Sequence, residues 1–151
     1  MDRDTEREYM KKSSIALVIE QLKLRGEDAI LADKLARYDI LIKDKDLRIK
    51  IKFSKPIQRS KSSNINWEFT KLIHRSRLYP IDIFDFYILV GFGENGDIKK
   101  IWKISAEDKI IYRKNQIFVP IEEEGGEYEE YRKHELKIID NESNEGIQWI
   151  G

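Results

Sequence analysis

The chain has 151 residues, 40% of them hydrophobic and 11% aromatic, enough for one domain with its own core. Lys+Arg 28 against Asp+Glu 28 leaves no net charge to name a partner, and the absence of cysteine excludes disulfides, thiolate metal centres and thiol nucleophiles. No apolar run approaches the roughly 18 residues of a membrane span, and the polar start MDRDTEREYMKK has no signal-type stretch, so a soluble, cytoplasmic protein without membrane contact is expected.

Thr5-Glu6-Arg7-Glu8 forms a capping box, and Ile15, Val18, Ile19 and Leu22 follow at helical spacing, which predicts a helix from Thr5 to about Arg25 closed by Gly26. Ala29 to Ala32 reads as a short edge strand. Tyr38 to Ile42 and Leu47 to Phe53 flank the polar turn Lys43 to Asp46 and predict a hairpin. In its second strand Leu47, Ile49, Ile51 and Phe53 alternate with Arg48, Lys50 and Lys52, so one face is basic. Ser54 to Asn64 reads as a loop, Ile65 to Phe69 as a strand, and Lys71 to Leu78 as a short basic helix stopped by Pro80. The apolar run Phe84 to Val90 predicts a buried central strand. Asn95-Gly96 turns the chain into a returning strand, Ile98 to Ile104. Gln116 to Pro120 is a last short strand, and Glu127 to Ile139 is expected to be helical. The order predicts an α/β fold, a mixed β-sheet flanked by helices.

Charge is segregated along the chain. Arg48 to Arg77 holds nine bases (Arg48, Lys50, Lys52, Lys55, Arg59, Lys61, Lys71, Arg75, Arg77) and one acid, Glu68. Residues 121–151 hold ten acids and three bases. Such a distribution marks either a nucleic-acid surface with an acidic counter-region or two solvated faces of opposite sign. His74 and His134 are too far apart to suggest a metal site; His74 belongs with the basic surface. Trp67, next to Phe69 in an alternating strand, is expected in the core.

Asp39 sits in the first hairpin strand, and Lys50 and Lys52 share a face of the second. A carboxylate and an ammonium on adjacent strands can hold a divalent cation and orient water or a phosphate oxygen. The plain alternatives are a salt bridge from Asp39 to Lys52, or a ribbon face on which Lys50 and Lys52 are simply solvated.

Leu22-Lys23-Leu24-Arg25-Gly26 closes the helix. Arg37-Tyr38-Asp39-Ile40-Leu41-Ile42, a polar turn and Leu47-Arg48-Ile49-Lys50-Ile51-Lys52-Phe53-Ser54 follow, and Ile83-Phe84-Asp85-Phe86-Tyr87 opens the later strand. Together these segments resemble the PD-(D/E)XK nuclease superfamily, the restriction-endonuclease-like fold, and within it small homing endonucleases and archaeal Holliday-junction resolvases. The resemblance spans about Thr5 to Pro120, so residues 1–120 would form a nuclease-like domain carrying an acidic extension, 121–151. It implies DNA as partner and phosphodiester hydrolysis with Mg²⁺, or Mn²⁺. In that scheme Asp39 would ligate the metal and Lys52 would be the catalytic lysine. Lys55, Arg59, Lys61, Lys71, Arg75 and Arg77 would grip the backbone, and a homodimer or higher oligomer would be needed to cut both strands. Two departures stand out. Lys50 occupies the place of an oxygen ligand, and lysine has no acceptor. Ile15 stands where the superfamily carries a helix glutamate. Either Glu8, Glu20, Asp44 or Asp46, with the Ile51 carbonyl, completes a weaker site, or the site is lost; a further alternative is that the Lys50 ammonium stands in the metal's place and contacts phosphate directly. The competing functions are an inactive nuclease-fold subunit for DNA binding or assembly, and a protein-interaction domain whose acidic tail docks a basic partner.

Overall fold

Asp2, not Thr5, starts the first helix: its carboxylate accepts from the Thr5 amide at 2.8 Å, and α1 runs Arg3–Leu24. Asp4 and Glu6 add negative charge to the first turn, where the helix dipole favours it. At the other end the Gly26 amide donates to Lys23 and the Glu27 amide to Leu22, each at 2.9 Å, a Schellman closure. It needs the left-handed φ of +84° that Gly26 adopts without a Cβ penalty. The computed structural model describes residues 2–73, 80–122 and 126–140.

Three strands follow: β1 (Ala29–Leu31), β2 (Ile40–Ile42) and β3 (Leu47–Ser54), all antiparallel neighbours. The Lys43–Asp46 turn joins β2 to β3 and places Asp46 at φ 51°. The stretch expected to be a loop after β3 contains β4 (Pro56–Ile57), which pairs with β5 (Asn66–Thr70). Lys71 to Ile73 is not helical, and Lys71 has φ 56°, which breaks the expected helix at its first residue. Its remainder, with His74, Arg75 and Arg77, lies outside the described residues. The one-turn α2 (Pro80–Ile83) leads into β6 (Phe86–Phe92), which lies parallel to β3. Next come β7 (Ile98–Ser105), α3 (Lys109–Lys114), β8 (Gln116–Pro120), α4 (Gly126–Arg132) and β9 (Glu135–Leu136).

The main sheet has the order β1-β2-β3-β6-β7-β9, and β4-β5-β8 form a second, antiparallel sheet. Two apolar clusters hold the layers together. Met10, Val18 and Leu22 of α1 pack on Ile40, Ile49, Ile51, Ile88 and Val90 of one face. On the opposite face Tyr87, Leu89, Trp102 and Ile104 meet Trp67 and Phe69 of the small sheet, together with Ile111, Tyr128 and Tyr131. β6 is therefore covered on both faces, which explains its continuous apolar run. Trp67 is 2% exposed, as a core residue should be; its indole N–H donates to the Phe92 carbonyl at 2.8 Å. A Cβ on Gly91 would come within 2.8 Å of that indole, so only glycine allows the ring this close.

The line α1 buries differs from the expected stripe. Met10, Ser14, Val18, Gln21 and Leu22 face inward, while Ile15 and Ile19 are half-buried beside them. Gln21 is on that line because of the chain's far end. Its side-chain amide donates to the Ile139 carbonyl at 2.8 Å and accepts from the Ile139 amide at 2.7 Å. The segment expected to be one helix over Glu127 to Ile139 is helical only to Arg132. The chain then straightens to pair with β7 and lie along α1, because an extended segment supplies the backbone groups that the sheet edge and Gln21 bond.

Candidate nucleic-acid interface

β3 outruns its partner. β2 pairs with Leu47 to Ile49 only, so the edge of β3 from Lys50 to Ser54 is open on that side. Ile49 and Ile51 face α1, and Lys50 and Lys52 lie on the opposite face, in register with Tyr87 and Leu89 of β6. The amino-terminal half of α1 reaches along the same open edge. The result is a pair of adjoining clefts. One is lined by Arg7, Lys11, Lys12, Lys50 and Lys52 with Asp4 and Glu8. The other is lined by Arg3, Arg7, Lys52, Lys55 and Lys71 with Glu6 and Glu68. Arg7 and Lys52 line both.

Asp39 lies just before β2, its amide donating to the Ile49 carbonyl at 2.8 Å. Continuing the β2–β3 register puts it opposite Lys50, and its carboxylate shares a face with Lys50 and Lys52. The alternative salt bridge from Asp39 to Lys52 is replaced by one to Lys50. Asp39 Oδ2 is 3.6 Å from Lys50 Nζ and accepts from the Ile51 amide at 2.8 Å. The Asp39 side chain is only 9% exposed. A carboxylate so enclosed is already neutralised and hydrogen-bonded.

The described residues do not assemble a donor set for magnesium. Among them no three His, Asp or Glu side chains stand close enough to share an ion. Glu8 lines the cleft but is exposed and paired with Lys12 at 3.3 Å. Glu20 is exposed and does not line it; twelve residues of helix at about 100° each carry it about a third of a turn away from Glu8. Asp44 and Asp46 lie in the hairpin turn, at the other end of β3.

Lys52 is half-buried beside Leu89, and among the described residues it makes no ion pair or hydrogen bond. Burial first, then the charges of Lys50, Arg7 and Lys71, hold its ammonium below the usual lysine range, with Asp39 opposing. A cation denied a counter-ion in this way favours an incoming anion.

The other basic residues divide. Arg48, in the same row as Lys50, is occupied: its Nε is 3.3 Å from Asp85 Oδ2, which also accepts from its amide at 2.8 Å. Arg59 pairs in bidentate fashion with Glu68, at 2.7 and 3.0 Å, and lies over the Phe118 ring. It thereby bridges β5 and β8 at the surface, with its charge already paired. Lys55 lines the cleft and is 3.2 Å from Glu6. Lys71 lines it exposed, and Lys61 is exposed in the loop before β5. The expected set omits α1. Arg3, Arg7 and Lys11 recur every four residues, one helix face by spacing alone, and that was the readable signal.

No family model matches this chain, and no curated protein sequence does. Among solved structures, that of a bacterial homing endonuclease superposes with a TM-score of 0.51 over 81% of this chain and 85% of the other, at 15% identity. At that identity the likeness is one of fold: a mixed sheet flanked by helices, in the arrangement of a homing endonuclease. No helix among the described residues is long and apolar enough to cross a membrane.

Proposed function

We propose that this protein binds DNA through the cleft at the open edge of β3, and that it does so without a metal ion. In the resemblance to PD-(D/E)XK nucleases, Lys50 falls where an oxygen ligand would be. The observation that carries the reading is the Lys50 ammonium, 3.6 Å from the enclosed Asp39 carboxylate. Arg7 and Lys52 line the cleft beside Lys50, and Lys71 lines the adjoining one, all three without carboxylate partners among the described residues. A phosphodiester entering there would meet fixed ammonium and guanidinium groups in place of a hydrated cation. Phosphodiester hydrolysis through magnesium would be weak or absent, because the Asp39 carboxylate is spent on Lys50 and the equally enclosed Glu68 carboxylate on Arg59. One such cleft faces one strand, so engagement of both strands would take two copies of the chain.

The test is fluorescence anisotropy with a short duplex, titrated with salt in EDTA and again in Mg²⁺. Affinity should fall with salt at a log–log slope of about −0.9 per phosphate neutralised. Arg7→Ala should flatten that slope by about one unit on every sequence alike, and EDTA should leave the curve unchanged. A flat salt profile would instead favour a protein partner, and binding that appears only with Mg²⁺ would restore the metal to the site.

A further inference from the structure

The cleft holds an amine whose surroundings suit covalent chemistry better than simple charge pairing. Lys50 is paired to Asp39, Lys55 to Glu6 and Lys12 to Glu8. Lys52, between the two clefts, has no such partner among the described residues. It is half-buried on the sheet and flanked by three further cations, Lys50, Arg7 and Lys71. Both burial and like charge favour the neutral amine, and the neutral amine is the nucleophile. The same cations would draw a negatively charged substrate to it.

We propose that Lys52 attacks the sugar aldehyde of abasic sites in DNA, giving this protein a metal-independent lyase activity. The proposal rests on the DNA-binding reading above. The neutral Lys52 amine adds to C1′ of the ring-opened sugar, and the carbinolamine takes up a proton from solvent and loses water to give an iminium ion. That ion acts as an electron sink: a proton departs from C2′ to water, and the resulting electron pair expels the 3′-phosphate by breaking the C3′–O bond. Water then hydrolyses the unsaturated iminium ion, which returns the amine and the borrowed proton. One water is released and one consumed, and nothing is oxidised or reduced. The strand is broken by elimination, so no water need be activated at phosphorus and no metal is required. The neighbouring Arg7, Lys50 and Lys71 hold the phosphates on either side of the sugar.

The full chain, in EDTA, is incubated with a duplex carrying one abasic site and with the same duplex intact, with and without borohydride. Borohydride should trap an SDS-stable adduct on the abasic duplex alone, and peptide mass mapping should place it on Lys52. Without borohydride the product should carry an unsaturated aldehyde at its 3′ end. Lys52→Arg keeps the charge but has no nucleophilic amine, and at protein concentrations that saturate the duplex it should trap at least about tenfold less. Lys45→Arg, in the distant hairpin turn, should trap as the unmodified chain does. The trapping rate should level off with pH below the range of an ordinary lysine. An adduct mapped to another amine, or binding without any adduct, overturns the lyase proposal while leaving DNA binding intact. Failure to bind either duplex at low salt would refute the binding reading first and the lyase with it. Should Lys52→Arg not fold, the mapped position of the adduct on the unmodified chain decides alone.

Discussion

Lys50→Glu puts the displaced-cation reading to the most direct test. At 3.6 Å the Lys50–Asp39 attraction is worth about 1 kcal/mol in a water-like medium and about 4–5 kcal/mol at an effective dielectric near 20. Lys50 is 26% and Asp39 9% exposed, so the pair lies between those limits. Glutamate exchanges the attraction for repulsion between two carboxylates. A loss of about 2 kcal/mol is expected in EDTA, which for a chain of this size lowers Tm by roughly 4–8 °C. The new pair of carboxylates is also a cation site, helped by the Ile51 carbonyl, which faces the same edge as the Ile51 amide bonded to Asp39. Mg²⁺ or Mn²⁺ at a hundred times its Kd should return about 2.7 kcal/mol. Lys50→Met, of similar length and uncharged, should lose the attraction and gain nothing from metal. The assay is thermal unfolding of the three proteins with and without metal, alongside calorimetric Mg²⁺ binding. Adding Asp39→Ala to Lys50→Glu should abolish the response. If Mg²⁺ stabilises the unmodified chain as much as it stabilises Lys50→Glu, Lys50 does not exclude the ion and the reasoning fails.

Two further outcomes concern stability. Trp67→Phe keeps the ring in the core but leaves the Phe92 carbonyl without its indole donor, which should cost about 1–3 kcal/mol in urea unfolding with the m-value unchanged. Lys52 is held below its unfolded pKa, so between the two values the unfolded chain binds more protons and stability rises with pH. Its charge is thus a cost at neutral pH, Lys52→Met should raise Tm there, and the gain should fade as pH climbs toward 10.5; a gain independent of pH would show that packing, not charge, is responsible.

Much of the framework is local chemistry and was legible as such. The Schellman closure at Gly26, the Lys43–Asp46 turn, the alternation of β3 and the Asn95-Gly96 turn each depend on residues within a few positions of one another. The periodicities of helix and strand carry that information directly. The residue types from Arg48 to Lys52 likewise determined a basic strand face next to Asp39. What the sequence could not determine is which groups meet across the fold. Asp39 pairs with Lys50 rather than Lys52 because β2 and β3 are held in one register, and a diagonal neighbour lies farther away than a direct one. Lys52 lost its counter-ion, and gained Arg7 and Lys71 as neighbours, only when α1 and the end of β5 came to the edge that β2 leaves open. Gln21, a polar residue on the buried line of α1, is buried because Ile139, 118 residues on, supplies the backbone pair it bonds. Local pattern sets the elements, but register and burial set the charges of the cleft, and those are properties of the packed sheet.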